Sequence, residues 1–218
     1  MNIFSVNSPL GRFLNLAADI VIVNFLWLLC SIPIITIGAS TSALYYALMK
    51  RQRRDEGYIH TNFWKGFKDN LKQGTIIWLI MFAIGFILTL DLRIGIHAIG
   101  PLRNFMIISS VILMIPYVFT LLYVFPVQAK FENKVMDNIK NAFLMSIAHL
   151  GYTLLALFFL ATFVVLSIFS HAFLGIVLLC GMGLFAYLTS NIYIMVFRKH
   201  LPDELSDDEQ ASGMKDFF

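Results

Sequence analysis

Four stretches of the chain, 74–90, 105–127, 142–168 and 173–197, contain no Asp, Glu, Lys or Arg. At about 1.5 Å of rise per helical residue, each has about the length needed to cross a hydrocarbon core of roughly 30 Å. A further apolar run, 16–49, is too long for one span. Its interior is punctuated by Pro33, which removes a backbone donor, and by Gly38, which permits a turn that other residues resist. The pattern therefore predicts a break over 31–38, with one helix over 9–30 and a second over 39–54. Ser8 suits the N-cap of the first and Pro9 its first helical position. If the break is a tight turn, the two helices form a hairpin and the chain has six spans; if they are one bent span, it has five. Arg12 near the start favours the hairpin, because it puts a positive charge on the side where other basic residues collect.

The period changes between 61 and 72. At 100° per residue Phe63, Trp64, Phe67 and Leu71 fall on one arc, and Lys65, Lys68, Asp69 and Lys72 on the other. This predicts an amphipathic helix lying in the membrane interface and bending into the next span at Gly74. On the second helix Ala39, Ala43 and Ala47 recur at i, i+4 and i+8, a small-residue seam that lets two helices approach closely in lipid. Ser40, Thr41 and Ser42 stand in its first turn, where hydroxyls can satisfy backbone groups released by the break. In the long run 105–127, Pro116 and Pro126 can kink a helix on the same condition. The expected fold class is all-α, a polytopic transmembrane helix bundle of six, alternatively five, spans. Those spans are 9–30, 39–54, 74–92, 105–127, 142–168 and 173–197, with an interfacial helix at 61–72 and an acidic, flexible tail at 201–218.

Composition agrees with a membrane class: 59% of the residues are hydrophobic and 13% charged, with a mean hydropathy of +0.78, whereas soluble domains carry about 25% charged residues. The 218 residues suit one bundle without a separate soluble domain of ordinary size. Charge then supplies an orientation. Fourteen of the sixteen Lys and Arg residues fall in segments that share one side of the membrane, and Arg93 and Arg103 are the other two. Short loops rich in Lys and Arg stay cytoplasmic, so Lys50, Arg51, Arg53, Arg54, Lys65, Lys68 and Lys72 are expected inside. A cleavable leader is not expected, because the first apolar run far exceeds an h-region of about 7 to 15 residues and four basic residues follow it. The net charge of +3 sits where helices leave the bilayer, which points to anionic headgroups as partners and away from nucleic acid.

Few side chains invite chemistry. Asp19 is the only acidic residue within the apolar runs, and Arg12 and Asn15 stand on its helical face at spacings of seven and four. That geometry offers a paired polar stripe, or an element of a proton or ion path. Asn24, Gln128, His149 and Asn191 are single polar groups suited to hydrogen bonds between helices. The five histidines are scattered, without i, i+4 pairs, and Cys30 and Cys180 lie in apolar runs, so no metal site or cofactor is expected. No G-x-S-x-G elbow, phosphate-binding glycine loop or H-E-x-x-H helix is present, which argues against an enzyme.

The stretch AADIVIVNFLWLLCSIPIITIGASTSALYYALMK, followed by RRDEGYIHTNFWKGFKDNLKQGT, resembles the YesL-like family of bacterial membrane proteins. The resemblance covers about residues 4–78 and rests on Asp19, Asn24, Pro33, Thr36, Gly38, Ala43, Leu44, Tyr45, Tyr46, Glu56, Gly57, Tyr58, Phe63, Phe67, Asn70 and Gln73. It implies a bacterial plasma membrane. Members tend to be encoded beside the binding proteins and permeases of carbohydrate ABC importers, which implies an accessory part in sugar uptake and supplies no catalytic residues.

Together these observations predict a non-enzymatic membrane protein that associates with permease subunits of such an importer. Its expected partner or lipid interface is Lys50, Arg51, Arg53, Arg54, Phe63, Trp64, Phe67, Lys68, Leu71 and Lys72. The alternatives are a small transporter or channel with Asp19 and Asn24 beside a polar path, and a lipid-interacting scaffold.

Overall fold

The computed structural model describes residues 9–53, 57–169, 175 and 177–198, and all regular structure among them is helical. The α-helices with described bounds are, in chain order, α1 (Pro9–Ser31), α2 (Ile37–Gln52), α3 (Ile59–His97), α4 (Pro101–Lys130), α5 (Val135–Ala148), α6 (Leu150–Phe169) and α7 (Met182–Arg198). A 3-10 turn, Ile34–Thr36, joins α1 to α2, and a π turn, Val177–Gly181, leads into α7. Among the described residues five helices, α1, α3, α4, α6 and α7 with its π turn, are long and apolar enough to cross a membrane. The protein is an all-α polytopic helical bundle.

The predicted break is present and makes a hairpin. Pro33 has no N–H to continue α1, and the Thr36 hydroxyl lies 2.6 Å from the Cys30 carbonyl oxygen and 2.7 Å from that of Pro33, so carbonyls left open at the turn have a donor. Going back along α1 and forward along α2, Ser31 and Ser40 hydroxyls are 2.7 Å apart, Trp27 Nε1 donates to Thr41 Oγ1 at 3.1 Å, and Arg51 meets Asp19. Those three pairs fix an antiparallel packing.

Helix α2 is the centre of the molecule. It has 16 residues, about 24 Å of helix, and everything from Gly38 to Tyr45 and from Ala47 to Met49 is buried. Its Ser and Thr hydroxyls bond carbonyls of its own first turns, and Ser42 also lies 3.1 Å from Gln128 Oε1 of α4. Such a helix is too short and too polar to face lipid, and neighbouring helices enclose it instead. Leu44, Leu48, Phe63, Ile77, Met81, Tyr123, Val127, Tyr193 and Phe197 build the core around it.

Two elements depart from the sequence expectation. Segment 61–72 is not a separate interfacial helix, because α3 runs unbroken from Ile59 to His97. Gly74 serves close packing there and not a bend: a Cβ on it would lie 2.8 Å from Ala39 Cα, and a Cβ on Gly38 would overlap the Gly74 carbonyl oxygen. The expected span 142–168 is two helices, parted at His149, whose φ of −121° and ψ of 48° leave the helical region. Helix α5 buries Asn138, Ala142 and Ser146 at i, i+4 and i+8, so it is itself amphipathic, and the break separates its course from that of the apolar α6.

Helix α4 contains Pro116 and Pro126 without a break. Pro126 cannot donate to the Leu122 carbonyl four residues before it, and Tyr193 Oη of α7 donates to that oxygen at 2.8 Å. The tail 201–218 lies outside the described residues.

Candidate functional site

The first third of α3 separates its two faces sharply. Ile59, Asn62, Phe63 and Gly66 are buried, and Gly66 sits where an added Cβ would be 2.9 Å from the Tyr46 ring of α2. Phe67 is partly buried and packs parallel to Phe63 at 6.3 Å between centroids. On the outer face Trp64 and Leu71 are 44% and 41% exposed, and Lys65, Lys68, Asp69 and Lys72 are exposed with them. Trp64 is held edge-on by Phe67 at 6.0 Å. The apolar arc read from the sequence is thus divided: Phe63 and Phe67 anchor α3 on α2, while Trp64 and Leu71 stand outward among lysines.

The end of α2 borders this face. Lys50 Nζ lies 5.6 Å from the centre of the Tyr46 ring, a cation-π contact. Arg53 caps the helix with its backbone N–H on Met49 and Lys50 carbonyls, and Gln52 Nε2 donates to the Tyr187 carbonyl of α7 at 2.9 Å. Gly57 has a φ of 142°, a conformation that side chains oppose, and Tyr58 is the N-cap of α3. Arg54 lies outside the described residues. The surface is therefore carried on two packed helices and a glycine turn.

Arg51 belongs elsewhere. Its Nε is 2.6 Å from Asp19 Oδ2, with both side chains a little under one-third exposed; the nitrogen makes no well-aligned hydrogen bond, so the contact is an ion pair. Asp19 thus draws its cation from α2 and not from Arg12, and Arg12 and Asn15 are exposed on α1. Side-chain geometry explains the choice, since Arg51 reaches across a fixed hairpin whereas Arg12 would have to fold along its own helix. Asn24 is 1% exposed and accepts the Gly183 N–H through Oδ1 at 3.0 Å, just after the π turn. It binds α1 to α7. Ala39, Ala43 and Ala47 are fully buried on α2, Ala39 against Gly74.

Asp19 and Asn24 are thereby each engaged by a protein group, Arg51 and the Gly183 N–H. No cluster of three His, Cys, Asp or Glu side chains able to hold a metal occurs among those residues. What the arrangement can do is present an ordered basic and aromatic surface, which suits anionic headgroups or a complementary protein. The close backbone approach of Gly38 and Gly74 packs α3 on α2, and Tyr193 joins α7 to α4 at Leu122. Pro126 signals the need for a donor, but nothing in the sequence names Tyr193.

Residues 20–92 match the family model described as a protein of unknown function, DUF624. That stretch runs from the middle of α1 through most of α3. The chain is similar to the uncharacterized protein YteU of Bacillus subtilis (strain 168), 29% identical over 170 residues that cover 72% of this chain and 76% of the relative. It is also similar to the uncharacterized protein YesL of the same strain, 26% identical over 158 residues, 70% of this chain and 74% of the relative. No solved structure matches.

Proposed function

We propose that this YesL-like chain, with its DUF624 domain at residues 20–92, is a non-catalytic accessory membrane protein that docks a partner through the outer face of α3. The observation that carries the reading is the division of that helix, with Phe63, Gly66 and Phe67 turned into the bundle and Trp64, Lys65, Lys68, Leu71 and Lys72 turned out. A surface anchored this way keeps its side chains in place before the partner arrives, which lowers the cost of association. Aromatic side chains are favoured where protein interfaces bury their anchors.

The partner proposed is a permease subunit of a carbohydrate ABC importer in the same bacterial plasma membrane, as the family resemblance implies. The basic face then lies on the cytoplasmic side. The chain itself contributes position and contact, without a reaction of its own. A tagged copy at native level should bring down a permease subunit from solubilised membranes, and deletion should lower sugar uptake. Absence of the permease together with unchanged uptake would end this reading.

A further inference from the structure

A cavity of about 790 Å³ lies between the α1–α2 hairpin, the middle of α3, α4, α6 and the start of α7. Trp27, Trp78, Phe125, Leu160, Phe163 and Phe185 form much of its wall. Its size falls among natural small-molecule sites of roughly 300 to 1,000 Å³. The wall carries hydroxyls and two indole N–H groups, of Trp27 and Trp78, and the hydroxyls and the Trp27 N–H already have protein partners. Trp27 Nε1 donates to Thr41 Oγ1 at 3.1 Å, and Thr41 Oγ1 bonds the Ile37 carbonyl at 2.7 Å. Ser167 bonds the Phe163 carbonyl at 2.7 Å, and Tyr45 and Thr189 hydroxyls are 3.1 Å apart.

A ligand with several buried polar groups would find few waiting partners there, and ordered water needs two to four polar partners. An apolar chain needs none. Protein interiors pack as densely as organic crystals, and a void of this size would forfeit dispersion contacts along its whole wall. The cavity also borders the outside of the bundle: Val164 and Ile168 stand on its α6 side and are 51% and 70% exposed. In a multi-pass membrane protein that side meets lipid.

We propose that this cavity binds one long hydrocarbon chain of a membrane lipid, entering beside α6 and packing between Trp27 and Trp78. The docking face on α3 takes no part, so the two readings stand or fall separately.

Native mass spectrometry of the full chain, purified through size exclusion in excess detergent, should show one retained lipid per protein. The adduct mass separates a glycerophospholipid from a polyprenyl lipid, and either supports the site. Protein carrying no lipid, or detergent only, would overturn it. Location is tested in nanodiscs with Trp64→Phe, which leaves Trp27 and Trp78 as the only tryptophans and alters no cavity residue. Phospholipid brominated on its acyl chains should quench their emission, and the quench should outlast dilution into unbrominated lipid at least tenfold longer than bulk lipid mixing. A quench that reverses with mixing would contradict a bound chain. Ser167→Phe should abolish the adduct, and a folded variant retaining it at the original level would place the lipid elsewhere; if it fails to fold, Leu160→Trp provides the same test.

Discussion

Tyr193 on α7 donates its hydroxyl to the Leu122 carbonyl on α4 at 2.8 Å, the carbonyl that Pro126 leaves without a helical donor. Two helices are joined by one bond whose need is created by a third residue. Tyr193 also meets the Tyr45 and Tyr123 rings edge to face, at 5.7 and 4.9 Å between centroids, so the hydroxyl is held by packing on both sides. Tyr193→Phe should keep that packing and lose the bond, lowering unfolding stability in detergent by about 1 kcal/mol. In a Pro126→Ala background the restored N–H takes over the carbonyl, and the same substitution should cost no more than a few tenths. Equal costs in both backgrounds would show that the hydroxyl does not serve the proline.

The contact of α2 with α3 depends on missing side chains. Gly74→Ala places a Cβ 2.8 Å from Ala39 Cα, and backbone on both sides leaves no flexible group to yield, so a loss of about 1 to 3 kcal/mol is expected. Gly151→Ala on α6 meets nothing within 4 Å and should be neutral or stabilising by up to about 1 kcal/mol. Thermal unfolding of the two variants side by side checks this. A Gly74→Ala protein as stable as the original would mean that α2 and α3 can separate at little cost.

Asp19 and Arg51 should behave as a pair and not as a transport group. Asp19→Asn and Arg51→Gln are each expected to destabilise the hairpin, with a coupling of roughly 0.5 to 1.5 kcal/mol in a double-mutant cycle, the range seen for polar contacts between membrane helices. Additive losses would remove the ion pair from the account. Proton or ion flux through reconstituted protein that falls in Asp19→Asn would instead favour the transporter alternative.

Much of this architecture is legible in the chain because its signals are local. The charge-free runs give the long helices, Pro33 with Gly38 marks the hairpin turn, and the period over 61–72 gives a helix whose Lys65, Lys68, Asp69 and Lys72 stand outward. The remainder depends on what each helix meets. A period of 3.6 shows that Phe63 and Phe67 share an arc with Trp64 and Leu71, but only α2 decides that the first two are covered and the last two left out. Gly74 looks like a bend and is a contact, because the chain opposite it, Gly38 and Ala39, has no side chain to collide with. Apolar composition continues through His149 without a sign that the helix ends there. The cation for Asp19 stands across a hairpin, where spacing along one helix cannot find it.

Docking depends most directly on the outer face of α3. A photoreactive benzoylphenylalanine at position 64 or 68, expressed at native level and illuminated in intact cells, reads what touches that face. A third copy with the label at Leu102, exposed near the start of α4, serves as the comparison. Labels at 64 and 68 should yield one common protein adduct, identified by mass spectrometry as an importer permease subunit. The label at 102 should not. Lys65→Glu with Lys68→Glu should reduce the adduct from position 64 at least fivefold while changing stability by no more than about 0.5 kcal/mol, as exposed substitutions do. Lipid adducts alone from positions 64 and 68, or the same protein adduct in equal yield from 102, would contradict docking through α3.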